Sequence, residues 1–151
     1  MTRTLKKFHE VKDLLQKYLG DRVIIETEHG NTFITINDSH FWMSNDFGEF
    51  IVGFGANHTH FGKEMNNVDD GVQQVYDLLT NTIVQTNYIK GNFVYKTKVE
   101  ILFSDKKPKV LGKSYLLMYP FWKKTTVDKK VFPGLLCGDL LEADFKQLLS
   151  S

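Results

Sequence analysis

The sequence predicts an α+β fold: one domain, residues 1–151, with an antiparallel sheet of about six to seven strands packed by helices. The expected order is helix, four strands, helix, three strands, helix. Three observations carry this. Thr4–Leu19 has the period of an amphipathic helix, Arg22–Phe54 alternates with a period of two, and the strand-like runs come in hairpin-linked groups instead of alternating with helices.

Thr4–Leu19 sets Leu5, Phe8, Val11, Leu14, Leu15, Tyr18 and Leu19 on one stripe, with Lys6, Lys7, Glu10, Lys12, Asp13 and Lys17 on the wet side. Thr2 or Thr4 can cap its start, and Gly20 stands where a C′ glycine belongs. Arg22–Glu28 and Thr32–Asn37 read as strands joined at His29-Gly30-Asn31, and His40–Ser44 and Glu49–Phe54 as a second pair around Asn45-Asp46-Phe47-Gly48. Gly55–Asn66 shows no period and reads as a loop. A helix begins near Asn67, with Val68, Val72, Val75 and Leu79 on one face and Asp69 and Asp70 in the first turn, where the helix dipole favours acids. Gly71 costs that helix about 1 kcal/mol relative to alanine.

Thr82–Lys90 and Asn92–Phe103 flank Gly91. In the second, Phe93, Tyr95, Val99, Ile101 and Phe103 alternate with Lys96, Lys98 and Glu100. Lys109–Phe121 resumes the strand pattern with Leu111, Tyr115, Leu117, Tyr119 and Phe121 in phase. Lys123–Lys130 reads as a polar loop, and Asp139–Leu149 as a short closing helix.

A chain of 151 residues buries about 70% of its unfolded surface, enough for a core without disulfides or metal. Cys137, the single cysteine, excludes an intramolecular disulfide and a thiolate-based zinc site. No apolar run reaches the length of a transmembrane helix, and Met1–Leu19 lacks the apolar centre of a signal peptide. The expectation is a cytoplasmic protein with no membrane contact.

The net charge of +1 conceals an asymmetry. Asp21–Asp77 holds ten acids (Asp21, Glu26, Glu28, Asp38, Asp46, Glu49, Glu64, Asp69, Asp70 and Asp77) against Arg22 and Lys63, whereas Lys90–Lys130 holds eleven lysines against Glu100, Asp105 and Asp128. These blocks are either solvated charge paired across a shared sheet or the two ends of a dipolar molecule with one acidic, partner-facing surface. Tyr95, Tyr115, Tyr119, Phe121 and Trp122 interleave with the basic block, but their phase sets them opposite the lysines. Single-strand binding needs aromatics and cations on one face, so no nucleic acid is expected.

His58-Thr59-His60 places two imidazoles on one side of an extended segment, where they can share a metal if His40, Asp69 or Asp70 supplies a third ligand. Histidines bonded to loop carbonyls, or bordering Phe54 and Phe61, account for the pair more simply, since a lone pair meets few of the requirements of a metal site. The acid pairs Asp46/Glu49 and Asp69/Asp70 fall in a turn and a helix start, where acids belong anyway. Cys137 has no histidine after it in sequence, and Gly53-Phe54-Gly55 does not open into a helix as a phosphate loop does. The reading leans away from an enzyme, and no cofactor is called for. Trp42, between Phe41 and Met43, is an anchor for an interface or a residue tucked under the first helix.

Phe50-Ile51-Val52-Gly53-Phe54-Gly55 followed by His58-Thr59-His60-Phe61 resembles a segment of small uncharacterised bacterial proteins, some of them similar to immunity proteins of toxin systems. That resemblance implies an acidic surface that blocks a basic protein. The functional expectation is therefore a non-enzymatic protein-binding module of immunity or inhibitor type. It would contact a basic partner through Trp42, Asp46, Glu49, Asp69 and Asp70. The alternative is a metal-binding protein or metal-dependent enzyme using His58 and His60.

Overall fold

The computed structural model describes residues 2–62 and 67–151. It is α+β, with three α-helices and two antiparallel sheets of five and four strands among the described residues. The chain forms two compact units, Met1–Leu79 with Leu136–Ser151, and Thr80–Leu135. Glu64 and Lys63, counted in the charge blocks, lie outside the described residues.

In the first unit, helix α1 (Arg3–Leu19) starts at Thr2, whose hydroxyl accepts the Leu5 amide at 3.2 Å, and stops at Gly20 with φ 54°. A meander of β1 (Val23–Glu28), β2 (Asn31–Ile36), β3 (Phe41–Asp46), β4 (Glu49–Phe54) and β5 (Asn57–Gly62) follows, each strand pairing with the next. Its inner face carries Ile34, Ile36, Phe41, Met43, Phe50, Val52, Phe54 and Phe61, all buried. Phe8 of α1 meets Phe50 edge to face at 5.6 Å. Helix α2 (Val68–Thr80) lies so close that a Cβ on Gly71 would stand 2.9 Å from the Phe61 ring. Close packing thus explains a glycine that helix propensity disfavours.

Helix α3 (Gly138–Ser150) returns from the far end of the sequence and packs on α1 and α2. Tyr76 and Phe145 meet at 5.3 Å, and Asp144 accepts from Lys17 at 2.9 Å and from the Tyr18 hydroxyl at 2.5 Å. The Tyr18 hydrogen bond, with Lys17 beside it, holds the Asp144 carboxyl below its ordinary range, while Lys17 and Tyr18 are raised chiefly by the same carboxylate. Lys7, expected on the wet side of α1, is instead buried. Its ammonium donates to the Leu148 carbonyl and, at 2.5 Å, to the Ser151 hydroxyl. The α3 C-terminus supplies the acceptors that a buried cation requires.

The second unit is a sheet in the order β8 (Lys109–Tyr115), β7 (Phe93–Leu102), β6 (Thr82–Lys90), β9 (Thr125–Phe132). Nine strands therefore replace the six to seven expected, in two sheets instead of one. Strand β5 falls in the stretch read as periodless and β9 in the one read as a polar loop. Both are edge strands, with exposed His58–His60 in one and an exposed Thr126–Val131 in the other, so neither prints a hydrophobic period. Strand β8 stops at Tyr115, and Leu116–Trp122 beyond it is not strand.

The expected separation of aromatics from lysines also fails for part of this sheet. An irregularity between Val99 and Glu100 shifts the β7–β8 register and sets Tyr115 opposite Lys96, which pairs on its other side with Tyr88. The Lys96 ammonium sits 4.8 Å from the Tyr88 ring centre and 5.6 Å from that of Tyr115. The C-terminal half of β7 behaves as read, with Val99 and Ile101 buried and Lys98 and Glu100 forming a 3.4 Å pair on the other face, whereas Phe93 at its start is exposed. Ile101→Ala should cost about 2–5 kcal/mol. Lys98→Ala, at a partly exposed pair, should cost less than about 1 kcal/mol. Urea melts of the two variants check the difference, and a costlier Lys98→Ala would invert the assignment of faces.

Candidate functional site: an acidic and aromatic sheet face

The pleat that buries Phe41, Met43, Phe50 and Val52 turns their neighbours to the opposite face of the meander. Cross-strand pairing there gives two rows. Ile24, Thr35, Trp42, Gly53 and His58 form the first, and Glu26, Phe33, Ser44, Ile51 and His60 the second. Asp46 and Glu49 pair at the end of β3 and β4.

The side chains form a chain of ring contacts. Phe33 lies 5.4 Å from Trp42, Trp42 lies 5.6 Å from His58, and His58 lies 5.2 Å from His60. His60 Nδ1 is 2.6 Å from Glu49 Oε2, with both side chains about half exposed. The Trp42 indole lies flat over Gly53 and donates from Nε1 to the Gly55 carbonyl at 2.8 Å. Gly53 is what admits it, since a Cβ there would stand 2.2 Å from the ring.

At one end of the face the β1–β2 and β3–β4 turns lie side by side, the Asn31 side chain accepting the Phe47 amide at 3.4 Å. Both are two-residue turns with positive φ throughout: His29 51° and Gly30 82° in one, Phe47 49° and Gly48 85° in the other. This is the pattern of a type I′ turn, matched to strand twist. Asparagine suits the first position and a bulky aromatic does not. Phe47 nevertheless occupies it and leaves 87% of its surface exposed. Between the turns opens a groove of about 380 Å³, lined by Glu26, Glu28, Asp46, His29, Phe33 and neighbouring polar residues.

The structure thus brings Trp42, Asp46, Glu49, His58 and His60 onto one face. Asp69 and Asp70 are not part of it. They sit in the first turn of α2, in the helical layer, where Asp69 pairs with Arg3 at 2.8 Å. Among the described residues no group of three or more His, Cys, Asp or Glu side chains is arranged to hold a metal ion. Neither Phe33 nor Phe47 was singled out by the sequence. Phe33 gave a signal in its phase with Glu26 across the hairpin, and Phe47 in standing beside Gly48 where asparagine is usual.

No family model, curated protein or solved structure matches the chain.

The Trp42–Gly53 contact makes a direct test of the face. Gly53→Ala should expel the indole and cost about 1–3 kcal/mol through overpacking. In a Trp122→Phe background the Trp42 emission should shift to the red while the far-ultraviolet circular dichroism stays unchanged. An unchanged emission would show that the ring does not lie on the Gly53 backbone.

Proposed function

We propose that this chain is a non-enzymatic protein-binding module of immunity or inhibitor type, whose contact surface is the outer face of the five-stranded sheet. The observation that carries the reading is the continuous run Phe33–Trp42–His58–His60–Glu49, bordered by Glu26, Glu28 and Asp46. Rigid aromatic rings in a carboxylate setting suit a partner with a basic, partly apolar surface. Such a module works by occlusion: it covers the partner's working surface and needs no chemistry of its own. The unit that contains the face agrees in sign, with eight basic and fifteen acidic residues, a net −7. An acidic surface mainly speeds and orients the encounter, while the buried anchors set how long the complex lasts. A metal reading of His58 and His60 has less to support it, because among the described residues no third His, Cys, Asp or Glu side chain is placed to complete a site with them.

If carboxylates steer the partner, reversing Asp46 and Glu49 to lysine should cut its capture by about tenfold at low salt and leave the fold intact. Affinity purification with the tagged chain and the double variant in parallel reads this out. Equal recovery of every co-purifying protein would remove the reading.

Phe47 separates binding from folding. Phe47→Asn places an ordinary type I′ residue in the turn and should raise stability by about 1 kcal/mol as backbone strain is relieved. The same change removes an exposed aromatic from the edge of the face, so partner capture should fall. A variant that is both more stable and equally competent would exclude Phe47 from the contact.

A further inference from the structure

We infer that the second unit carries a lipid-binding loop, 115–124, that inserts into the interface of an anionic membrane. The chain's net charge of +1 hides a unit, Thr80–Leu135, with eleven lysines and three acids, a net +8. On it Leu117, Met118, Phe121 and Trp122 are 94, 86, 73 and 73% exposed in a single loop. Along the loop the residues follow the order a bilayer interface demands. Lys113 leads in, Tyr115 follows, Leu116-Leu117-Met118 form the middle, Tyr119, Phe121 and Trp122 come next, and Lys123-Lys124 close it. Aliphatic side chains suit the acyl boundary, tyrosine and tryptophan the headgroup level, and lysines the anionic surface outside.

The loop is also held in place. Tyr119 stacks on Tyr95 at 4.7 Å and 23°, the Leu116 amide donates to the Tyr95 carbonyl at 2.8 Å, and Lys90 Nζ donates to the carbonyls of Phe121 and Lys123 at 3.3 and 3.0 Å. An apolar loop fixed open loses little freedom when it inserts. A nucleic acid would use the rings and lysines but has no use for Leu117 and Met118, so the lipid surface fits the whole patch. No helix among the described residues is long and apolar enough to cross a membrane, and contact of this kind stays at the surface.

Flotation of the full-length chain with large unilamellar vesicles tests the inference. Vesicles of phosphatidylcholine containing a minority of anionic phosphatidylglycerol should carry the protein up and shift Trp122 emission to the blue. Pure phosphatidylcholine should bind about tenfold less. Leu117→Ser with Met118→Ser should lower binding to the anionic vesicles by about tenfold or more. Lys123→Glu with Lys124→Glu should abolish the preference for them. These residues are exposed, so unchanged melting temperatures should accompany both losses. Absence of binding to anionic vesicles, or binding indifferent to Leu117 and Met118, would overturn the inference. A dimer in light scattering that dissociates in the Leu117/Met118 variant would assign the loop to a second copy, and tighter binding to oligo(dT) than to the vesicles would assign it to nucleic acid. Either result also overturns the lipid assignment.

Discussion

The register of β3 against β4 is the constraint on which the first unit depends. Phe41 faces Phe54 and Met43 faces Val52 on the inner side, so Trp42 must face Gly53 and Asp46 must face Glu49. A slip of one residue would send Phe41 and Met43 to the outer face and pull Trp42 and the carboxylates into the core. Core and displayed surface are thus fixed by a single choice. The choice is enforced from both sides: the core residues resist exposure, and the indole fits only where its neighbour has no side chain. The two-residue turn at Phe47-Gly48 closes the same hairpin and allows no other spacing.

Segregation of charge follows the division of the chain into units. The acidic and basic blocks could have interleaved had the strands of the two halves shared one sheet. They do not: β1–β5 pair among themselves, as do β6–β9. Opposite charges therefore cannot neutralise one another across a common ladder, and each unit keeps its own sign. The ion pairs of the first unit join near neighbours, such as Lys146 with Glu142, and residues far apart in sequence, such as Lys17 with Asp144, and at exposed sites they contribute little to stability. Charge on this chain is therefore a minor source of stability and sets mainly the long-range field of each unit.

Legibility in the sequence tracked burial. Helix α1, helix α2, strands β2–β4 and the β6–β7 pair were readable because each buries at least one face, whereas β1, exposed at five of its six positions, was readable from its β-branched run and the glycine turn that follows it. Strands β5 and β9 were not, because each is bonded along one edge and carries an unbroken exposed run, His58–His60 in one and Thr126–Val131 in the other. Leu116–Phe121 misled in the opposite way: it kept a strand-like apolar phase, yet Leu116, Leu117, Met118 and Phe121 are exposed and only Tyr119 packs, on Tyr95. Lys7 was misplaced because the element that buries it, α3, lies more than a hundred residues away in sequence, and local periodicity carries no trace of such a contact. In the site, Trp42, Asp46 and Glu49 share a face through the pleat of β3 and β4, whereas His58 and His60 join it through β5, a strand the sequence did not print. Asp69 and Asp70 had seemed to belong only because charge in sequence carries no depth.

The two exposed surfaces call on different physics. The acidic face sets carboxylates around rings that are already partly packed on one another, with Trp42 seated on Gly53 and Ile51 buried between Ser44 and His60. Beyond Phe47 at its edge and the part-exposed Phe33 and Ile24, little apolar area is left there to desolvate, so much of what the face offers a partner is orientation and encounter rate, both weakened by salt. The loop of the second unit offers the reverse. Its aliphatic tip is almost bare, and burying it releases a hydrophobic gain that salt does not screen, while the flanking lysines decide which surface is approached. Salt therefore separates the two proposed activities: capture at the sheet face should fade as ionic strength rises, whereas an inserted loop would be held by the part of its interaction that ionic strength leaves intact.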